Sequence, residues 1–523
     1  MNEAYDVLVA GGGPAGLSGA LALARARRSV LVVDAGEPRN APAGHMHGYL
    51  GREGTPPGDL LADGRAEAAR YGVDIVTGRV ASAERRDVWF QVTLDDGRGV
   101  RARRLLVTTG LVDELPDVPG LAERWGREVL HCPYCHGWEV RDRRIGVLAT
   151  GPSAVEQANM WRQWSSEVVL LLHRSPALGD DEAQRLAARG IAVVDGPVAA
   201  LEVTEDALTG VRLESGKAVP LDALVVLPRY TARADLLESL GLKPVEVERH
   251  GHVVGTRIAV EATGATSVPG VWAAGNVADP GAKVVAAAAQ GYAAGTAINA
   301  DLIAEETRDA VADYRERARA VLEEGAWEER YRGGDALWSG NPNPQLVAEA
   351  AALRPGRALE AGCGEGADAV WLAERGWRVT GVDFSATALE RAAARAEAAG
   401  VADRVEWTRA DLRTHTPAER AYDLVSAHYL HLPPAARRDL FARLAAAVAP
   451  GGTLLIVGHR VDGRAGGRPL GFPDMMYGAG ELASALDPGE WVVLVAEDRP
   501  RDAGHDGRHV TVYDAVLVAR RRA

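Results

Sequence analysis

The sequence predicts an α/β protein built from successive doubly wound, Rossmann-like domains. The chain of 523 residues is too long for one domain with a single hydrophobic core. Apolar strands alternate with helical stretches, and glycine clusters lie where strands pass into helices. Doubly wound sheets build their nucleotide sites from small residues at such junctions. The pattern occurs in the segments YDVLVAGGGPAG, RRIGVLATGPSA, GVWAAGNVADP and GRALEAGCGEGAD.

The composition is that of a globular protein with an acidic balance. Hydrophobic residues make up 47%, charged residues 25%, and the formal net charge is -13. Because phosphate binding needs a basic face, this balance argues against a nucleic-acid partner. The N-terminus lacks the cations and apolar run of a signal peptide, and no apolar stretch is long enough to span a bilayer. We therefore expect a cytoplasmic protein with no membrane partner.

The first glycine turn has the spacing of a dinucleotide-binding fingerprint, G-x-G-x-x-G. An apolar strand is expected over residues 6–10 and a helix over 17–26. The glycines let backbone amides approach a pyrophosphate, whose charge the helix N-terminus favours. The next strand ends at Asp34, which is placed to bind ribose hydroxyls. The candidate cofactor-binding residues of the turn are Gly11, Gly13, Pro14, Ala15 and Gly16.

Residues 1 to about 305 resemble the low-molecular-weight thioredoxin reductases. The resemblance rests on this fingerprint, LLVTTGLVDELPDVPG, a C-x-x-C, a second glycine turn and PGVWAAGNVADPGAKVV, in that order. It implies that FAD is held by 1–115 plus 245–305. Residues 116–244 would form an inserted pyridine-nucleotide-like domain that carries the cysteines. The further FAD-binding residues that the resemblance implies are Thr109, Gly110, Gly275 and Asn276.

Asn276 departs from the family pattern, because these reductases have an aspartate there, next to the flavin ribityl chain. The amide oxygen of asparagine can still accept a hydrogen bond. We therefore still expect FAD to bind.

The segment HCPYCHGWE allows three interpretations. Zinc would need a second ligand pair, and the chain's other cysteine, Cys363, lies in a different glycine turn. A structural disulfide is disfavoured in a reducing compartment. A redox-active thiol pair is the interpretation we adopt, with no metal.

The resemblance assigns roles within this segment. Cys135 would face the flavin, and Cys132 would exchange with the substrate. His136 occupies the place of an aspartate in the reductases, and a free histidine pKa near 6.5 suits proton transfer. His131 is equally close, and the sequence does not rank the two.

The second glycine turn, ATGPSA, departs at several positions from the turn that binds the nicotinamide nucleotide in the reductase family. Ala149 replaces the first glycine, and the following strand ends in His173, Arg174 and Ser175, where the family has a histidine and two arginines for the 2'-phosphate. Acidic residues follow at 180–182. Productive NADPH binding is therefore not expected. With CPYCHG, this combination resembles the dithiol oxidases of gliotoxin and holomycin biosynthesis, which implies electron flow from a small dithiol through the cysteines to FAD and then oxygen.

A further strand, glycine turn, helix and strand occupy residues 356–385. The turn and acid are shared with NAD sites, but E-x-G-C-G-x-G resembles motif I of class I methyltransferases that use S-adenosyl-L-methionine (SAM). By that resemblance Asp383 binds the ribose hydroxyls and Asp411 the adenine. Cys363 is expected to be a small residue that fills the turn. The glycines assigned to SAM are Gly362, Gly364 and Gly366.

The segments WEERYRGGDALWSGNPNPQL before motif I, and GFPDMMYGAGELASAL and DAVLVARR after it, occur in the chain. They resemble the tellurite-resistance and thiopurine S-methyltransferases, which implies a soft acceptor atom, sulfur, selenium or tellurium. A thiolate is intrinsically nucleophilic, so the enzyme mainly has to align and shield it. Four residues that follow expected strand ends are candidates for acceptor contacts, although residues of this kind are more often ordinary surface or loop residues: His428, His431, His459 and Arg460.

The whole chain is therefore expected to comprise two Rossmann-like FAD/NAD(P)-type domains, a charged helical linker over 306–333 and a class I methyltransferase domain over 334–523. The expected function is oxidation of a small-molecule dithiol coupled by tethering to methylation of a thiol. Two alternatives stay open: an NADPH-dependent disulfide reductase fused to the methyltransferase, and a non-catalytic flavin sensor that regulates it. A homodimer is also left open.

Overall fold

A computed structural model describes residues 3–523 except 152, 250, 335, 461–463, 466–467, 470–471 and 506–507. The chain divides into two compact units, residues 1–307 and 308–523. Each has the mixed α/β architecture that the sequence predicts. Across the described ranges, no helix combines the length and apolarity that a membrane span needs.

The first unit contains a seven-stranded sheet whose central strands are parallel. The strand Ala4–Ala10 passes through the first glycine turn into the helix Pro14–Arg25, which begins three residues earlier than expected because Pro14 suits the first turn of a helix. The strands, in sheet order, are Asp74–Thr77, Val30–Asp34, Ala4–Ala10, Gly99–Val107, Trp89–Leu94 and Val80–Arg86, and Val271–Ala273 also pairs with Gly99–Val107. Helices Pro57–Ala69 and Val284–Leu322 follow elsewhere in the chain.

A second, five-stranded parallel sheet belongs to the inserted part of this unit. Its strands, in order, are Ala192–Val194, Val168–Leu171, Ile145–Leu148, Ala223–Val226 and Val129–Leu130, with helices Pro133–His136, Ala154–Trp161 and Asp180–Ala188. A three-stranded antiparallel sheet comprises Val198–Thr204, Ala207–Leu213 and Ala218–Pro220.

The insertion ends earlier than the predicted boundary at residue 244. The strand Arg229–Ala232 pairs with Leu111–Glu114 and His252–Arg257, and Val245–Arg249 completes this four-stranded sheet. Leu237 lies in the short helix Asp235–Glu238, and Leu242 follows that helix; both are buried in the core of the first sheet. Residues 229–244 therefore belong with the flavin-type part, because their apolar side chains are covered there.

The second unit is one seven-stranded sheet. Arg357–Ala361 lies between Arg378–Asp383 and Tyr422–His428, so the strand order reverses beside it, and ligands bind at such a switch point. The strands, in order, are Val405–Arg409, Arg378–Asp383, Arg357–Ala361, Tyr422–His428, Val448–His459, Arg508–Arg521 and Trp491–His505, with Arg464–Ala465 and Arg468–Pro469 as a separate pair. Its helices are Pro344–Ala350, Ala367–Glu374, Ala386–Ala398, Pro434–Ala447 and Ala479–Ser484.

The predicted linker is helical, but it is more than a connector. The helix Val284–Leu322 is followed by Glu324–Arg332. Glu328 accepts hydrogen bonds from the hydroxyls of Ser385 (2.6 Å) and Thr387 (2.5 Å). These bonds fix the second helix at the start of Ala386–Ala398, so part of 306–333 helps to build the second unit's pocket.

Candidate active sites

The first glycine turn is packed too tightly for a side chain at Gly11 or Gly16. A Cβ on Gly11, whose φ is +109°, would lie 2.5 Å from the carbonyl oxygen of Thr108, and one on Gly16 would lie 1.9 Å from that of Gly11. The Thr108 hydroxyl donates to the Gly11 carbonyl at 2.8 Å. By contrast, a Cβ on Gly13 would meet no atom within 4 Å. The turn therefore has open space at Gly13, as a bound pyrophosphate requires.

A cleft of about 530 Å³ opens at this turn. Asp34 accepts from Arg65 at 3.0 Å and from the Gly36 amide at 3.2 Å, which fixes its carboxylate at the rim. Gly16 lies behind the turn rather than on the cleft wall. The predicted residues that line the cleft are Gly11, Gly13, Pro14, Ala15, Asp34, Thr109, Gly110, Gly275 and Asn276.

The flavin-side loops are held by side chain to backbone bonds. The Asn276 amide nitrogen donates to the carbonyl of Ala282 at 2.9 Å, so its amide oxygen is the atom available to a ligand. The Thr109 hydroxyl donates to the Arg233 carbonyl at 2.5 Å. These residues, with the glycine turn and Asp34, fit FAD.

Cys132 and Cys135 form a disulfide across the short helix Pro133–His136. Cys135 lines the cleft. Cys132 is only 4% exposed. The two sulfur atoms thus differ in their access to the cleft, and His136 lines it immediately after Cys135.

Both histidines of this segment are neutral near pH 7. Burial lowers the pKa of His131 to about 3, and the guanidinium of Arg39 acts in the same direction. The His131 ring stacks on Trp125 with a centroid distance of 5.4 Å. Burial also lowers the pKa of His136, while the Glu139 carboxylate opposes that shift. Neutral His136 can accept a proton, whereas the stacked His131 is the harder one to protonate.

The buried His131 predicts a pH dependence of stability. Its native pKa of about 3 lies below the ordinary 6.5, so the unfolded chain binds more protons between those values. The contribution of neutral, buried His131 to the free energy of unfolding is fully present above pH 6.5 and is lost as the pH falls toward 3. We expect His131→Asn to flatten the fall in unfolding free energy between about pH 6.5 and pH 4. Urea unfolding at several pH values, followed by flavin fluorescence, measures this, and an unchanged slope would contradict it. His252→Asn, at an exposed site, is the control.

The described side chains near the second glycine turn make contacts within the chain. The Nδ1 atom of His173 accepts from the Val198 amide at 2.9 Å, and Arg174 pairs with Glu214 at 3.3 Å. Ala149 is buried, and its carbonyl accepts from the Ser175 hydroxyl at 3.2 Å. The helix that follows begins with Asp180, Asp181 and Glu182. The polar groups expected to hold a 2'-phosphate are thus engaged within the chain, and acids stand nearby.

The second unit has a pocket of about 770 Å³ at its switch point. Asp383 accepts from the backbone amides of Gly364 (2.9 Å) and Ser385 (3.0 Å), and burial raises its pKa. A Cβ on Gly366 would lie 2.7 Å from Ala392, so this glycine permits close helix packing behind the pocket. The predicted residues that line the pocket are Gly362, Gly364, Asp383 and Asp411, together with Cys363.

Asp411 stands at the pocket with a partner that the sequence did not indicate. Arg413 donates to both of its carboxylate oxygens, at 3.0 and 2.7 Å. This hydrogen bonding lowers the pKa of Asp411. Cys363 is buried, which raises its thiol pKa, and this fits a space-filling role. The glycine turn, Asp383 and Asp411 fit SAM.

Three aromatic residues at the pocket were missed as site residues. The Trp338 indole nitrogen donates to the Tyr331 hydroxyl at 3.2 Å, and the Trp327 ring lies 6.3 Å from that of Trp338. A Cβ on Gly364 would approach the Tyr331 hydroxyl at 3.1 Å. All three lie in the WEERYRGGDALW segment, and Trp327 and Tyr331 fall within the charged stretch 306–333 that the sequence predicted to be a linker.

The acceptor candidates divide into two groups. His428, His431 and His459 line the pocket, and the rings of His431 and His459 stack at 5.0 Å. Arg460 is not among the pocket-lining residues and pairs with Asp498 at 3.2 Å.

Tyr429, also missed, has φ +55°, a left-handed conformation rare for a bulky residue. Its hydroxyl donates to the fully buried Asp514 at 3.0 Å. Arg501 donates to the same carboxylate at 2.8 Å and also lines the pocket. The Tyr429 ring lies 4.6 Å from the His459 ring and 6.4 Å from the His431 ring, between centroids.

Family models match both units. Residues 5–291 match the pyridine nucleotide-disulphide oxidoreductases, and residues 358–452 match a methyltransferase domain. These matches confirm the predicted union of a thioredoxin reductase-like oxidoreductase with a methyltransferase, and the two families imply FAD and SAM.

The relatives cover the first unit. Thioredoxin reductase sirT of Leptosphaeria maculans is 33% identical over 312 residues, which are 56% of this chain and 93% of that protein. Thioredoxin reductase tcpT of Claviceps purpurea is 34% identical over 57% of this chain and 95% of its own length. The crystal structure of HlmI aligns with TM-score 0.57 and 46% identity over 61% of this chain and 98% of that one. The crystal structure of an oxidoreductase from Agrobacterium tumefaciens aligns with TM-score 0.54 and 37% identity, over 57% of this chain and 98% of that one.

Proposed function

We propose that this chain, which belongs to the pyridine nucleotide-disulphide oxidoreductase family and carries a methyltransferase domain in its second unit, oxidises a small dithiol and methylates a thiol. The observation that carries the first activity is the Cys132–Cys135 disulfide, whose Cys135 lines the same cleft as the first glycine turn. FAD, when bound there, supplies a two-electron acceptor.

The thiol chemistry follows from two exchange steps. One substrate thiolate attacks the Cys132 sulfur, the Cys132–Cys135 bond breaks, and its electron pair leaves on Cys135. The second substrate thiolate then displaces Cys132 and closes the substrate disulfide, so the protein pair gains two electrons and the substrate loses two. His136, neutral near pH 7, accepts the proton of an incoming thiol. Because Cys132 is 4% exposed, a small substrate is favoured over a protein.

Oxygen is the proposed final acceptor, with peroxide as its two-electron product. Support comes from the second glycine turn, where Ala149 replaces a glycine and Arg174 is paired with Glu214. The chain therefore offers little to hold NADPH. Electrons enter from the dithiol instead and leave to oxygen.

An anaerobic titration decides the electron donor. We expect a small dithiol such as dithiothreitol to bleach the flavin absorbance of the full-length protein within seconds, and NADPH to leave it unchanged over minutes. Admitting air should restore the absorbance and release one peroxide per dithiol. Rapid bleaching by NADPH would contradict the oxidase proposal.

A second candidate is an NADPH-dependent disulfide reductase, which the thioredoxin reductase names of the relatives from Leptosphaeria maculans and Claviceps purpurea favour. Rapid NADPH bleaching, followed by reduction of a disulfide substrate, is its signature.

The methyl acceptor is proposed to be a thiol or another soft atom. The pocket that contains the SAM-type residues Gly364 and Asp383 is also lined by aromatic and histidine side chains: Trp327, Tyr331, Trp338, Tyr429, His428, His431 and His459. Aromatic rings make favourable contacts with a polarisable sulfur atom. Methyl transfer from radiolabelled SAM to small thiols, amines and phenols tests the acceptor class, and a preference for amines or phenols would overturn the proposal.

A further inference from the structure

A buried charge cluster forms part of the wall of the second unit's pocket. The Nδ1 atom of His428 lies 2.8 Å from Asp368 Oδ2 and 3.2 Å from Glu360 Oε1. The Ser426 hydroxyl donates to the other Glu360 oxygen, and the Asn343 amide donates to the other Asp368 oxygen at 2.5 Å. These separations are those of hydrogen bonds. The imidazole orientation is therefore fixed from one side by two carboxylates that are themselves held.

The opposite ring nitrogen has no such partner. Nε2 of His428 is buried and makes no hydrogen bond within the part of the chain that the structure describes. The His428 side chain is 5% exposed, yet the residue lines the pocket beside the glycine turn and Asp383. A buried polar group without a partner carries an uncompensated cost of desolvation. A ligand atom in the pocket would remove that cost.

The carboxylates also decide which form of the ring is present. Although burial opposes charge on the ring, the attraction of Glu360 and Asp368 raises the pKa of His428 to about 10, while burial raises the pKa of Glu360 as well. At neutral pH both ring nitrogens then carry hydrogen. Nε2–H is thus a cationic donor, which prefers an anionic acceptor.

We propose that Nε2–H of His428 donates to the sulfur of the methyl acceptor and holds it as the thiolate. This inference deepens the proposed thiol methylation and rests on it. The thiol proton passes to solvent on binding. The sulfur lone pair forms the new S–CH₃ bond, the sulfonium–CH₃ bond of SAM breaks, and its electron pair stays on the departing sulfur. The products are a thioether, S-adenosylhomocysteine and the released proton.

Other groups face the same pocket and could also influence its pH dependence. Burial lowers the pKa of His431 to about 4, so that ring is neutral. His459 stacks on His431, and Arg501 is paired with Asp514. The Tyr429 hydroxyl also donates to Asp514. The Nδ1 atom of His459 lies 3.6 Å from Asp514 Oδ1, whereas the ring of His428 lies within 3.2 Å of two carboxylates.

The test compares two monothiols with full-length protein under anaerobic conditions. Benzyl mercaptan ionises only in alkaline solution, whereas thiophenol is already substantially ionised near neutrality. We expect His428→Gln to slow methylation of benzyl mercaptan about 100-fold at pH 7. The rate of the variant should recover as the pH rises, because the thiol then ionises in solution. Methylation of thiophenol should fall by only a few fold. Equal losses for both thiols at all pH values would indicate a structural role and overturn the inference.

A binding measurement provides a readout without turnover. In the complex with S-adenosylhomocysteine, the ultraviolet absorbance of the bound thiolate should titrate at lower pH than in free solution. His428→Gln should move this titration back toward that of free thiol, with SAM affinity by calorimetry unchanged. An unmoved titration would overturn the inference.

A second variant and matched controls complete the test. Asp368→Asn keeps the ring but removes one carboxylate, so it should shift the same titration in the same direction. The controls are His415→Gln and the exposed Glu374→Gln on the helix of Asp368. If the wild type methylates no thiol, the proposed function fails and the inference with it. If it methylates both thiols and the variants match it, the inference alone fails. Activity lost to a chelator and restored by zinc would also overturn it.

Discussion

Cys135→Ser is expected to abolish dithiol oxidation, with a loss of at least about 1000-fold, while the flavin stays bound. Cys135 is the sulfur that lines the cleft, and without it the thiols of the substrate have no disulfide to reduce. Oxygen consumption with a small dithiol measures the loss, and anaerobic flavin bleaching by the same dithiol should disappear with it.

Controls separate this effect from misfolding. Cys363→Ser removes the chain's other cysteine, which lies in the second unit, and should leave oxidation unchanged. The flavin-to-protein ratio of Cys135→Ser should equal that of the wild type, because the glycine turn is untouched. If Cys135→Ser still oxidises dithiols at the wild-type rate, electrons reach FAD without the pair, and the proposed route is wrong.

Asp383→Ala is expected to weaken SAM binding by about 1000-fold, equivalent to about 4 kcal/mol. Without the buried carboxylate, the ribose of SAM would lose two charged hydrogen bonds, each worth about 1.5–3 kcal/mol. The substitution would also release the amides of Gly364 and Ser385, which the carboxylate now holds at 2.9 and 3.0 Å. Calorimetric titration with SAM measures the change.

Comparison with a second acid sharpens this prediction. Asp411 is more exposed and is already paired with Arg413, so Asp411→Ala should cost less affinity than Asp383→Ala. Dithiol oxidation by the first unit should be unaffected in both variants and serves as the control for folding. Equal SAM affinity in Asp383→Ala and wild type would show that the ribose is bound elsewhere.

The cofactor turns could be predicted from the sequence because their geometry is local. Gly16 lies against the carbonyl oxygen of Gly11 in its own turn, and Gly11 and Gly364 have positive φ angles, which favour glycine. Spacing along a few residues therefore carries the signal. The disulfide is equally local, since Cys132 and Cys135 are three residues apart.

Other features depend on approaches between distant parts of the chain. Residues 229–244 read as a continuation of the inserted domain, and only strand pairing and the burial of Leu237 assign them to the flavin-type part. Trp327 and Tyr331 look like residues of a charged helix until that helix is placed against the pocket.

The sequence by itself determined the α/β class, the two nucleotide-type turns and the thiol pair, because each is a short pattern whose chemistry depends on neighbouring residues. Only the tertiary structure decided which histidine is special. The sequence did not rank His428 above the other three candidates. Its ring contacts Glu360 on the neighbouring strand Arg357–Ala361 and Asp368 on the helix Ala367–Glu374. Side-chain partners in a buried pocket follow from the packing of distant elements, which residue spacing does not encode.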